Sequence, residues 1–191
     1  MKKIGLIVTG IVLLLICSTC RKEHVAPVNQ LLKDLFCFKE GSEWTYYDSV
    51  SQTTQKMRVT SCEDFQGAPA KARGKIYDWD EVIRMDIAIE NISYFFSKTG
   101  ETELAPLSGH IYSPVTTELY LRCDENNNFT SQGVVVTYLS TYTANEITYS
   151  DVYLFNSKDN AAYYVSKHIG FIRCMKDNKY DLVLIDKNIQ Q

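Results

Sequence analysis

The 191 residues predict a mainly β protein: antiparallel strands with one short helix ahead of them. Three observations carry that prediction. Strand-length segments alternate apolar and polar residues with period two, and Asn, Asp, Gly or Ser separate them. Thr and the 13 Tyr are abundant, which favours pleated over helical backbone. No strand alternates with a long helical pattern, which argues against βαβ units and a parallel sheet.

The elements follow in order. Met1, Lys2 and Lys3 form a positive start, and Ile4 to Ile16 is an apolar run broken only by Gly5, Thr9 and Gly10. This is the pattern of a secretory signal, too short to serve as a spanning helix, which needs about 20 apolar residues. Residues 1–19 are therefore predicted to be a signal peptide, 20–27 a polar tether and 28–191 a single β-rich domain. Loss of Lys2 and Lys3 with the signal leaves a chain more acidic than the whole-sequence net charge of −3.

After Pro27, the residues Val28, Leu31, Leu32, Leu35 and Phe36 recur at helical spacing, which predicts an amphipathic helix of about three turns packed on a sheet. The period changes to two after Gly41. Trp44 and Tyr46 point one way in Glu43–Val50, Ser51 to Thr54 make a polar turn, and Met57 and Val59 alternate with Lys56 and Arg58, which together describe a hairpin. Gly67 to Gly74 is predicted as a loop. Asp78, Asp80 and Glu81 around Trp79 are expected in an acidic turn before a strand in which Ile83, Met85, Ile87 and Ile89 alternate with Arg84, Asp86, Ala88 and Glu90. Further strands are predicted at Glu118–Cys123, Val134–Thr143, Ile147–Phe155, Tyr163–Lys167, Phe171–Lys176 and Lys179–Asp186. Asp177-Asn178 suits a two-residue hairpin loop. That register places Ile172 and Cys174 on the face of Val183 and Ile185, with Cys174 inward.

Composition removes several functions. Twenty basic residues against 23 acidic ones, with a pI near 5.6, offer no footprint for nucleic acid. Nine Gly, 4 Pro and 12% aromatics exclude collagen and disorder. There is no Walker loop, dinucleotide fingerprint or G-x-S-x-G elbow, so no cofactor and no catalytic residue is predicted. His24 is placed in the tether, His110 in a loop and His168 beside Gly170, each as a surface residue. Asp124, Asn126 and Asn128 begin like a calcium loop, but Phe129 holds the glycine position and Val135 the place of the bidentate glutamate. Cys37, Cys62, Cys123 and Cys174 have no zinc spacing; two disulfides and buried thiols both fit an even count beyond the inner membrane.

Ile16-Cys17-Ser18-Thr19-Cys20 resembles a bacterial lipobox, in which small residues precede a cysteine that is diacylated and becomes the mature N-terminus; Cys20 is that candidate. Together with Arg21, Lys22 and Glu23, this junction resembles the lipoproteins of the Bacteroidota. Phe38-Lys39-Glu40-Gly41-Ser42-Glu43-Trp44-Thr45-Tyr46 is similar to an opening strand of small uncharacterised members. Tyr149 to Tyr153 and Tyr163 to Ile172 are similar to their closing element, with His168 standing for the first of two glycines. The resemblance implies a curled antiparallel sheet or open β-barrel, lipocalin-like or lipoprotein-carrier-like, with one short helix; it carries no activity. Asp48-Ser49-Val50 also resembles the tripeptide that these bacteria O-glycosylate, which makes Ser49 a candidate acceptor.

The expected function is that of a lipid-anchored outer-membrane protein, facing periplasm or exterior, acting without catalysis as a module for a protein or glycan partner. A carrier of a small apolar or lipidic ligand in a β-sheet cavity is the alternative, and a hydrolase comes third.

Overall fold

A computed structural model describes residues 25–26, 28–66, 71–72, 75–76, 79–87, 92–97, 107–112, 118–123, 126–130, 133–158, 160–177 and 179–190. Strand β1 (Val25–Ala26) precedes helix α1 (Gln30–Phe36). Asn29 caps the helix by accepting the Leu31 N–H on its side-chain oxygen at 2.7 Å. Val28, Leu31, Leu32, Leu35 and Phe36, the whole predicted apolar face, are buried. The helix has seven residues, two turns rather than three. It is shorter because the cap sits two residues beyond Pro27 and because Cys37 is already extended, at φ −100° and ψ 116°.

The chain continues through β2 (Glu43–Asp48) and β3 (Thr53–Gln66), the predicted hairpin. Then come β4 (Lys71–Ala72), β5 (Lys75–Ile76), β6 (Trp79–Ile87), β7 (Ile92–Ser97), β8 (Leu107–Tyr112), β9 (Glu118–Cys123) and β10 (Phe129–Thr130). A meander closes it: β11 (Val134–Ala144), β12 (Ile147–Ser157), β13 (Ala161–Ser166), β14 (Gly170–Lys176) and β15 (Tyr180–Asn188). Four local expectations change. Lys71–Ala72 pairs with Lys75–Ile76 where a loop was predicted. Asp80 and Glu81 lie within β6 rather than in a turn. His110 belongs to a strand, β8. Val25–Ala26 of the expected tether pairs in parallel with Trp79–Asp80. Asp78 and Ile89 lie outside the described residues.

Seven strands in the order β3-β2-β15-β14-β13-β12-β11 form one antiparallel sheet. The far half of β3 pairs with β6, and the path goes on through β7, β8, β9 and β10. The expectation of a curled sheet or barrel is corrected here. The seven-strand sheet is neither closed nor strongly curled, and no ladder joins β10 to β11 among the described residues. One physical reason is that the apolar face has another cover: α1 lies on it, with the Phe36 ring 5.9 Å from Phe155 and 5.8 Å from Phe171. From the sheet, Trp44, Tyr46, Tyr163, Val165, Cys174, Leu182 and Leu184 complete this core. Burying such side chains contributes about 1.5–3 kcal/mol each.

The β14–β15 hairpin corrects the predicted register. Lys176 pairs with Tyr180 and Cys174 with Leu182 across a three-residue loop, Asp177 to Lys179. One extra loop residue shifts the opposite strand by one, and a shift of one exchanges its faces. Cys174 is inward as expected, but its neighbour is Leu182; Ile185 is exposed.

His168 stands where a glycine was expected and adopts φ 60°, so the turn keeps its left-handed residue without glycine. Gly170, two residues on, has φ +86°, and a Cβ there would sit 3.1 Å from the Phe38 ring. Gly170→Ala is expected to destabilise the protein by about 2–3 kcal/mol, combining left-handed strain with a displaced ring. Urea unfolding of the variant measures this; an unchanged midpoint would show that the ring yields without loss.

Candidate functional site

Asp48 ends β2 and is buried, 3% exposed. Its carboxylate accepts the Asp181 N–H at 2.9 Å, the Val50 N–H at 3.1 Å and the Ser51 hydroxyl at 2.7 Å. The turn of the first hairpin is thus pinned to the start of β15. Ser49 adds two more ties: its N–H donates to the Asp181 carbonyl at 3.0 Å and its hydroxyl to the Asp181 carboxylate at 3.2 Å.

Asp181 in turn receives Arg173. The guanidinium makes two parallel bonds, Nε to Oδ1 and Nη2 to Oδ2, both 2.8 Å, and gives Nη1 to the Tyr142 hydroxyl at 3.0 Å. Arg173 lies opposite Val183, so Asp181 is its diagonal neighbour on the next strand. Planar two-point pairing of this kind is the strong form of an ion pair. The Tyr142 ring stacks on Tyr164 at 4.1 Å and 20°. Residues from β11, β13, β14, β15 and the β2–β3 turn therefore converge in one half-buried network.

Electrostatics follow from these contacts. The Arg173 hydrogen bonds hold the Asp181 carboxyl below its usual range, against opposing effects of burial and of the Asp48 charge. Burial alone would raise Asp48, but its N–H and hydroxyl donors outweigh that and lower it. Burial, with the adjoining Tyr142, raises the Tyr164 phenol, which keeps its proton at neutral pH. The arrangement is a brace: each Arg173 nitrogen is engaged, and both carboxylates are charged and satisfied by donors. Its outward part is the partly exposed phenol surface of Tyr142 and Tyr164.

The sequence-predicted residues fall as follows. Ser49 is exposed in the hairpin turn, with its hydroxyl at the edge of this network. Cys37, Cys62, Cys123 and Cys174 are all thiols. Cross-strand partners explain why none is paired along the sheet: Cys62 faces Met85, Cys123 faces Leu107 and Phe129, and Cys174 faces Tyr163 and Leu182. Burial pushes the Cys174 thiol far up and raises Cys62 too, the latter with help from Asp64, which makes both poor nucleophiles at neutral pH. Cys20, His24, Asp124 and Glu125 lie outside the described residues. Asn126 and Asn128 are exposed, and no group of three metal-ligating side chains occurs among the described residues. His168 is exposed in its turn, and its N–H donates to the Asp34 carbonyl at 2.6 Å.

Sequence reasoning missed Asp48, Tyr142, Tyr164, Arg173 and Asp181 as a group. The signal that would have found them is the loop of the last hairpin, because only its three-residue form sets Arg173 diagonal to Asp181. Under α1, Leu35, Phe38, Trp44, Met57, Met85 and Phe171 surround a void of about 10 Å³, at the threshold for one water.

No protein-family model matches the chain. No curated protein matches it, and neither does any solved structure. The class defined by fold and site is thus an open, mainly β domain with a braced polar face.

Proposed function

We propose that the chain is a lipoprotein anchored through Cys20 to the outer membrane, and that its sheet serves without catalysis as a binding or interaction module for a protein or glycan of the cell envelope. The observation that carries this reading is the N-terminal order: Lys2 and Lys3, the apolar run Ile4 to Ile16, then Ser18-Thr19-Cys20. The resemblance to Bacteroidota lipoproteins agrees with it. The saturated network around Arg173 supports contact over chemistry, and the exposed turn supports Ser49 as an O-glycan acceptor.

The second reading is a carrier of a small apolar or lipidic ligand in a β-sheet cavity. It requires a cavity that holds an apolar molecule, and the water-sized void under α1 lends it no support. A hydrolase comes third, because His168 meets Asp34 through backbone atoms and not through its ring.

Attachment is tested in cells producing the full chain. Cys20→Ala is expected to move most of the protein from the membrane to the soluble fraction and to remove the mass of the acyl chains, since stable anchoring depends on more than one chain. Equal membrane fractions for both forms would end the proposal.

A further inference from the structure

Strand β11 ends the sheet and pairs only with β12 among the described residues. Its 11 residues, VVVTYLSTYTA, include no charge, proline or glycine. Natural edge strands are usually blunted by such residues or by bulges, because a bare edge presents a row of unpaired N–H and C=O groups. The strand itself carries none of those residues. Its register from Val134↔Ser157 to Ala144↔Ile147 keeps one offset, interrupted only at Ser140, which stands across from Asp151 at φ 51°. A two-residue turn, Asn145 and Glu146 at φ 47° and 64°, holds the hairpin in a form that matches strand twist. Val135 is 68% exposed and Tyr138 54%; Thr137, Ser140, Thr141 and Thr143 are exposed as well.

The two ends of this edge carry opposite charges. Lys158 lies against the start of β11: its N–H donates to the Gly133 carbonyl at 2.9 Å, and its Cδ is 3.3 Å from where a Gly133 Cβ would stand. Glu146 is exposed just beyond the other end. From these observations we infer that β11 is the interface of a two-fold dimer in which it pairs antiparallel with β11 of a second copy, extending the sheet across both chains.

A second copy fits this edge better than other occupants for two reasons. Antiparallel self-pairing centred on Leu139 sets Thr137 opposite Thr141, Val135 opposite Thr143 and Val136 opposite Tyr142, so no like charges meet, which any charged strand would risk when paired with itself. The same two-fold axis brings Lys158 of each copy to Glu146 of the other, two complementary contacts for one symmetry operation. A two-fold axis normal to the sheet also keeps the core face of one copy continuous with that of the other.

The test is sedimentation of the full chain in non-ionic detergent over a range of protein concentrations. The wild type is expected to form dimers. Thr137→Lys with Thr141→Lys places four ammonium groups beside the axis and is expected to give monomers with an unchanged circular dichroism spectrum. Should that variant fail to fold, the surface charges decide. Glu146→Lys alone and Lys158→Glu alone are each expected to raise the dissociation constant about tenfold, and the double reversal to restore it to within about threefold of wild type. A wild type that stays monomeric at about 100 µM overturns the inference, whatever other protein it binds. So does a dimer indifferent to these substitutions, which would be held elsewhere.

Discussion

Trp44→Ala is expected to lower the unfolding free energy by about 3–5 kcal/mol, the cost of truncating a large aromatic in a packed core. Trp44 is 2% exposed, and its ring meets Phe38 edge-on at 4.9 Å. It also holds the chain at long range. Its indole N–H donates to the Ile169 carbonyl at 2.6 Å, which ties β2 to the turn before β14. Removal of the ring enlarges a void that already adjoins Leu35, Met57, Met85 and Phe171. Domains of this size are stable by about 5–15 kcal/mol, so the loss brings the weaker end of that range near unfolding. Trp44→Phe keeps much of the volume and forfeits the hydrogen bond, for an expected loss of about 1.5–2.5 kcal/mol. Urea unfolding with an unchanged m value separates the two variants. A loss under about 1 kcal/mol for Trp44→Ala would mean that the sheet and α1 close around the gap, contrary to the packing described.

Trp44 also illustrates what the sequence makes legible. Its burial follows from alternation in Glu43 to Val50, a rule local to one strand, and the same rule located Met57, Val59 and Met85. Helical spacing found the four buried residues of the α1 face, Leu31, Leu32, Leu35 and Phe36, and counted with them Val28, which is buried but precedes the cap. Strand β9 coincides with its predicted span, Glu118–Cys123, because turn residues flank it. Quantities that depend on two strands at once were less visible. The Asp177 to Lys179 loop has three residues instead of two, and that single residue decides whether Cys174 faces Leu182 or Asp181. The brace of Tyr142, Tyr164, Arg173 and Asp181 depends on four such registers in succession, so no local pattern announces it. Whether a sheet closes is more remote still. It depends on whether β10 and β11, consecutive in the chain and at opposite ends of the strand order, pair with each other, and nothing in their sequences encodes that choice.

Acid is expected to weaken the protein through Asp48 and Asp181, and Asp48→Asn should blunt that response. Both carboxyls have folded pKa values below the reference of 3.8. A depressed folded value means that the unfolded chain binds protons first as the pH falls. The stabilisation is therefore complete above about pH 4 and is lost as the pH drops through the folded values. Asp48 matters more than its single charge suggests, because one buried carboxylate satisfies the Asp181 N–H, the Val50 N–H and the Ser51 hydroxyl. Asp48→Ala strands all three donors and is expected to cost about 3–4 kcal/mol at pH 7, since each bond to a charged acceptor contributes about 1.5–3 kcal/mol and water replaces part of the loss. Asp48→Asn retains one acceptor oxygen and sets an amide against the remaining donors, for about 1–2 kcal/mol. Unfolding free energies at pH 7, 4 and 3 test the linkage. Wild type and Asp48→Asn should differ most at pH 7 and converge toward pH 3, with residual acid sensitivity from Asp181 and its Arg173 partner. Parallel curves across that range would show that Asp48 carries no linked proton, and the hairpin turn would then be held by Ser49 and the ladder alone.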